Sequence, residues 1–418
     1  MPWPLAARAL RSRNYRLFFA GQSISLIGTW MTRLATSWLV YRLTKSALLL
    51  GIVGFAGQIP AFFLAPLAGV WLDRWNRHRT LVWTQIVAMV QSLALAGLAL
   101  SGVINIWWIL GLSLLQGLVN AFDMPARQAF VIQMIDDRAD LSNAIALNSS
   151  IVNGSRLIGP AVAGMVIAAV GEGYCFLIDG ISYIAVIVSL LAMRIAPVES
   201  RVDRKHVLHE LAEGWTYIVE SPGIRSILVV LALASLAGMP FTVLLPIMAG
   251  SVLHGGPNTL GFLVGASGIG AFASALSLAL RRSVIGLGRM IAISGAIMGA
   301  GLVLFAISRV LWVSLVLMML VGFGMMQQMA GSNTIIQTIV ADSKRGRVMS
   351  YYTLAILGMA PFGSLLFGML AERFGAPDTL AAGGVLCLLA SLWFSRQLPA
   401  MRRVIRPIYA ELGIRPKG

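Results

Sequence analysis

The sequence predicts an all-α integral membrane protein, with twelve transmembrane helices in two pseudo-symmetric six-helix bundles. Three observations carry this. The chain is 58% hydrophobic and 11% charged, with a mean hydropathy of +0.83, which leaves too little polar surface to coat a soluble chain of 418 residues. Apolar runs recur along the whole length, each with the roughly twenty residues needed to cross a hydrocarbon core of about 30 Å. The runs are continuous, where a transmembrane β-barrel would show short alternating segments.

In order, the first span (15–41) carries Gln22, Ser25, Thr29, Arg33 and Thr36 at three- and four-residue steps, a polar stripe on one helix face. The second (47–72) ends in a basic loop, and the third (80–101) is apolar. The fourth (104–124) has a stripe of Ser113, Gln116, Asn120 and Asp123, and the fifth (143–170) has Ser149, Asn153 and Arg156. The sixth (174–195) contains Asp179, a carboxylate well inside a span. A charged linker (196–222) follows, in which Leu208, Leu211, Ala212, Trp215, Ile218 and Val219 keep helical spacing. It predicts an amphipathic helix on the cytoplasmic membrane surface. His206 and His209 share a face with Glu210 and Glu213 there and are expected to be a solvated face, with no metal.

The seventh span (224–250) is interrupted by Gly238, Pro240 and Pro246, breaks that are tolerated where backbone lines a cavity. The eighth (258–280) carries Gly261, Gly265 and Gly268, which suit close helix packing. The ninth (289–308) precedes a tenth (310–331) that is rich in Met, an adaptable wall material. The eleventh and twelfth (348–371 and 378–396) complete the count. The organisation is therefore 1–195, first bundle; 196–222, linker; 223–397, second bundle; and 398–418, basic tail. Weak echoes support a duplication: Val131–Ile135 resembles Ile335–Ile339, and Gly159-Pro160 is matched by Ala360-Pro361.

The net charge of +16 suggests nucleic acid until its distribution is read. All but six of the 32 Lys and Arg fall on the N-terminus, alternate loops, linker and tail. Four of the six (Arg42, Lys45, Arg309, Arg373) lie on the opposite loops, and Arg33 and Arg156 lie inside spans. This is the positive-inside pattern. It predicts a plasma (bacterial inner) membrane protein with both termini cytoplasmic, the lipid bilayer as its partner, no nucleic acid, and no cleaved signal peptide. Cys175 and Cys387 stand alone and are expected to pack.

Arg33, Arg156 and Asp179 point to function. A charge at the bilayer centre costs about 2.5–3.5 kcal/mol on insertion scales, and is kept where it faces a bundle interior or a wet cavity. The three stripes predict a polar cavity in the first bundle, with a dry hydrogen-bonded interface as the alternative. Burial favours a protonated carboxyl and a nearby guanidinium favours the ionised one, so Asp179, paired with Arg156 or Arg33, is read as a proton-coupling group. A fixed structural ion pair is the competing reading. The substrate and coupling set is Arg33, Arg156, Asp179, Gln22, Thr29, Gln116, Asn120 and Asn153. Opposite it, an apolar Met-rich second half suits a bulky amphipathic small molecule, anions included.

Gly69-Val-Trp-Leu-Asp73-Arg74-Trp-Asn76-Arg77-His78-Arg79 resembles the signature loop of the major facilitator superfamily, with Asn76 at its second Gly; Asn also tolerates positive φ. Gly154, Gly159, Pro160 and Gly164 resemble that superfamily's antiporter motif on the fifth helix. Further segments (Gly28-Thr-Trp-Met with Trp38–Tyr41, Phe122–Gln128, Asn143–Asn148 and Arg345–Met349) are similar to the branch of enterobactin exporters and macrolide-efflux proteins, which are drug:proton antiporters. The resemblance spans about Arg13 to Gln397. It implies the major facilitator fold and export by alternating access. It also implies a gating loop of Gly69, Asp73, Arg74, Arg77 and Arg79, in which Asp73 meets the N-terminal end of the eleventh helix and Arg77 reaches Asp123 in the outward-open state, both contacts breaking on inward opening. Gln116-Gly117 matches the superfamily's proton-antiporter motif, but the motif's Arg is here Ser113. Arg156 or Arg33 stands in for it, or transport is not coupled to protons.

The functional reading is secondary-active export of a small amphipathic compound, such as a siderophore, macrolide or secreted metabolite, by a monomer using protons as the coupling ion and no cofactor. The alternatives are an uncoupled or differently coupled facilitator and a non-transporting receptor of the same fold. No His, Cys or Glu cluster lies at membrane depth to make an enzyme, and no GxxxxGK[ST] loop to drive an ATP pump.

Overall fold

The computed structural model describes residues 5–195, 207–281 and 283–411, and among these the chain is helical with no strand. The first half comprises α1 (Arg13–Thr44), α2 (Ala47–Ala56), α3 (Ile59–Arg74), α4 (Arg77–Leu100), α5 (Ile106–Met134), α6 (Leu141–Val170) and α7 (Glu172–Leu191). After the linker come α8 (Val207–Glu220), α9 (Pro222–Leu233), α10 (Phe241–Ile247), α11 (Pro257–Ala279), α12 (Leu287–Ile307), α13 (Leu311–Ile339), α14 (Asp342–Thr353), α15 (Met359–Phe374) and α16 (Ala376–Glu411). Eleven stretches among the described residues are long and apolar enough to cross a membrane. The 32-residue α1 is the twelfth, its hydropathy lowered by its polar stripe.

Three predicted spans are broken, each beside a proline. Residues 47–72 divide into α2 and α3 at Gly57-Gln58, just before Pro60, which has no N–H to continue the ladder. The seventh span runs α9, a π-helical turn at Ala234–Gly238, α10 and a second π turn at Met248–Val252, with Pro240 and Pro246 in this stretch. The eleventh joins α14 to α15 through a π turn at Leu354–Gly358, before Pro361. Such π turns absorb an extra residue without ending a helix.

Two compact units result: Met1–Asp203 with Ala249–Gly265, and Arg204–Met248 with Ala266–Gly418. In the first, α1 packs on α6 and α7, α4 on α5 and α7, and α3 on α5. Its core at one end gathers Tyr15, Phe18, Phe130, Met134 and Leu190. The Tyr15 hydroxyl donates to the Ala144 carbonyl at 2.6 Å. In the second, α12 packs on α13 and α16, and α9 on α16, around Ile227, Leu231, Ile291, Ile336 and Phe394.

Several local features differ from expectation. Asn76 takes φ −70 and ψ 107, with no left-handed turn, and its side chain accepts from the Arg79 N–H at 3.0 Å. It caps α4, satisfying an otherwise orphan donor. The last helix continues past 397 to Glu411, because Leu398, Met401 and Ile405 stay buried and α16 leans on α9 at Gly223. The amphipathic linker helix forms as α8 and docks on α14. There Glu213 pairs with Lys344 (3.2 Å) and Arg347, and Trp215 lies 5.8 Å from Tyr351. His206 and the side chains of His209 and Glu210 lie outside the described residues.

Candidate transport site

Two glycines build the site by letting helices touch. A Cβ on Gly28 would stand 2.8 Å from Asp179 Oδ1 and 2.9 Å from Asp179 Cα, so α1 and α7 meet at backbone distance with Asp179 against α1. A Cβ on Gly159 would lie 2.5 Å from Trp30 Cβ and 3.0 Å from the Ile27 carbonyl, so α6 closes on α1 at Trp30. Arg156 precedes Gly159 by three residues and Arg33 follows Trp30 by three. Their guanidinium carbons stand 5.8 Å and 4.9 Å from the Trp30 ring centroid.

Arg33 is exposed although it lies well inside α1, and Arg156 is half-buried. Neither forms an ion pair with a described residue. Asp179 is 1% exposed. Its Oδ2 accepts from Ser92 Oγ on α4 at 2.7 Å, and its Oδ1 has no hydrogen-bond partner among the described residues. The predicted Asp179–arginine pair makes no direct salt bridge in this structure: packing at Gly28 holds the carboxyl buried among α1, α4 and α7, and Arg33 acts on it only through space.

The remaining candidates divide. Thr29 Oγ1 donates to the Ser25 carbonyl (3.1 Å) and lies 3.4 Å from the Tyr183 hydroxyl. Gln22 is buried, with its Oε1 unpartnered among the described residues. Asn153 donates to the Ser149 carbonyl at 2.9 Å within α6. On α5, Gln116 donates to Asn120 at 3.2 Å, so these two side chains pair along their own helix. The stripes of α1 and α6 thus come together at Trp30.

Asp123 is buried and accepts from Thr84 (3.0 Å) and Gln85 (2.6 Å) on α4, with Arg127 one turn on as its ion partner. The predicted Arg77 contact is not made in this structure. Trp71, Trp75 and Phe122 stack beside it, with centroids 5.8–6.1 Å apart. Arg79 is exposed, and the side chains of Gly69, Asp73 and Arg74 lie outside the described residues. Of the packing motif, Gly159 meets α1 as above. Gly164 meets Pro257–Gly261, where a Cβ would lie 2.8 Å from the Pro257 carbonyl; Gly154 faces open space. Pro160 is buried inside α6.

Sequence reasoning missed Trp30, Ser92, Arg127 and Thr84. The three-residue step from Trp30 to Arg33 was a legible signal, as was the four-residue step from Asp123 to Arg127. Ser92 and Thr84 act across helices and leave no local pattern.

Residues 5–406 match the family model described as transmembrane secretion effector. The chain belongs to that family. This major facilitator efflux-type protein is 27% identical over 384 residues to the staphyloferrin A transporter of Staphylococcus aureus, covering 91% of this chain and 95% of that one. It is 28% identical to the multidrug efflux pump Tap of Mycobacterium tuberculosis (96% and 94% covered), and 22% identical to macrolide efflux protein A of Streptococcus pyogenes (91% and 95%). Its fold is similar to a peptide transporter POT (TM-score 0.72, 13% identity, 93% and 95% covered). It is also similar to a bacterial homologue of the iron transporter ferroportin (TM-score 0.70, 15% identity, 92% and 98% covered). The secretion effector is thus a multi-pass membrane transporter that works in export.

Proposed function

We propose that the protein exports a small amphipathic compound by alternating access in exchange for protons, from a site on α1, α6 and α7. It sits in the bacterial inner membrane with both termini cytoplasmic. The observation that carries the coupling is Asp179: a buried carboxyl with one oxygen on Ser92 and the other without a partner among the described residues. A charge in such a dry site is costly, so proton gain and loss at Asp179 follow the arrival of water or a cation as the helices move. The names of the relatives (siderophore, macrolide and multidrug transporters) support a substrate of amphipathic, drug-like size. In the signature loop, Asp123 exchanges Arg127 for Arg77 when the cytoplasmic side closes.

The test uses inside-out vesicles with an acid interior, a panel of siderophores, macrolides and cationic dyes, and a readout of the pH gradient. Dissipation by a compound with wild type and not with Asp179→Asn is the expected result. Equal dissipation by both removes Asp179 from the coupling and keeps the exporter. Transport without dissipation supports the uncoupled reading, which Ser113 in place of the antiporter-motif Arg favours.

A further inference from the structure

Proton-coupled export through Asp179 leaves two cations without a task. Arg33 and Arg156 lie within membrane spans, on different helices, and converge on one indole. Neither makes a salt bridge to a described residue: the Asp179 carboxyl is hydrogen-bonded by Ser92 and reaches Arg33 only through space, which leaves two cations to one distant carboxylate. Two like charges brought together at membrane depth repel, and each also loses hydration there. Cation–π contact over Trp30 returns only part of that cost. The arrangement is therefore short of negative charge. It is also fixed in place, because Gly159 seats α6 on α1 at Trp30 itself.

We propose that Arg33, Trp30 and Arg156 form an anion subsite, and that the exported compound is an amphipathic organic anion bearing carboxylate groups. A guanidinium resting on a ring keeps donors free along its edge, and that planar fork matches a carboxylate bidentately. Two forks flanking one indole suit a molecule with one or two carboxylates beside an apolar or aromatic body, which rests on the indole edge. The exposed Arg33 side chain provides the accessible side by which the anion reaches the pair. The proposal rests on the export reading for its physiological direction, but binding at the subsite does not depend on it.

The experiment is equilibrium binding to the full-length protein in lipid nanodiscs. The probes are carboxyfluorescein as an aromatic carboxylate and rhodamine 6G as its cationic counterpart. Wild type is expected to bind the anion, and Arg33→Gln/Arg156→Gln to bind it at least about tenfold more weakly, as loss of charge-assisted hydrogen bonds implies, with rhodamine binding undiminished. If the double variant does not fold, Arg33→Lys and Arg156→Lys are read singly: they keep the charge and lose the fork, and each is expected to weaken the anion alone. Equal anion affinity in wild type and a folded variant overturns the subsite, as does absence of anion binding by wild type. Wild type that exports rhodamine in the vesicle assay yet binds no anion overturns this inference and leaves export standing. Wild type that binds the anion and moves nothing overturns export and leaves the subsite.

Discussion

Gly28 is the residue on which the coupling geometry turns. A methyl group there would press on Asp179 Oδ1, Asp179 Cα and Ser182 Oγ, all within 2.9 Å, and two of these three belong to Asp179 itself. Gly28→Ala should destabilise the protein by about 1–3 kcal/mol through overpacking, read as a lower unfolding temperature in detergent. Gly154→Ala, with nothing within 4 Å, should unfold with wild type; equal behaviour of the two variants would contradict the close α1–α7 contact. Ser92→Ala removes the hydrogen bond to Asp179 and leaves a buried polar group unpaired, at a cost of about 1–3 kcal/mol. It should also diminish proton-coupled flux in the vesicle assay, and an unchanged pH-gradient response would separate Ser92 from coupling. At this scale the sequence displayed the costly residues, because charge inside an apolar run stands out. Their partners were hidden, since Ser92 and Gly28 become neighbours of Asp179 only when three helices pack.

Helices were legible as lengths and faces, but not as joints. Continuous hydropathy merged 47–72 into one span, yet Pro60 and Gly57 divide it, and Gly117 on α5 is cut to fit that joint. A Cβ on Gly117 would lie 2.8 Å from the Gly57 carbonyl and 2.9 Å from Pro60 Cδ. Half of the Gln116-Gly117 motif is thereby explained by packing, and Gly117→Val should unfold several degrees lower than wild type in detergent, while Gln116→Ala should not. The linker helix shows the same division. Its periodicity predicted α8, but its dock on α14 through Glu213, Lys344 and Arg347 joins residues more than a hundred positions apart. Because these side chains are a quarter to a third exposed, Glu213→Ala should cost no more than about 1 kcal/mol of stability. Its clearer effect should be faster proteolysis within the linker, and an unchanged cleavage rate would mean that other contacts hold α8.

Across the whole molecule, the two halves repeat each other in ways that hydropathy only hinted at. α5 and α13 are each 29 residues long, and each opens with exposed tryptophan: Trp107 at 75% and Trp312 at 77%. Trp at the ends of spanning helices seats them at the membrane interface. The turns before α7 and α16 are both made by a positive-φ glycine, Gly171 (φ +93) and Gly375 (φ +89), where any other residue would be strained. Within this repeated frame, the charge pattern sets how the molecule lies in the bilayer. Arg138 sits on the strongly basic side, in the short turn before α6, and Arg309 on the sparse one, between α12 and α13, and both are exposed. The native Cys175 and Cys387 are buried and give little background to a thiol reagent. A membrane-impermeant maleimide applied to intact cells should therefore label Arg309→Cys and spare Arg138→Cys until the membrane is opened. The reverse pattern would invert the molecule, and with it the direction of export and the side on which Asp179 meets the higher proton concentration.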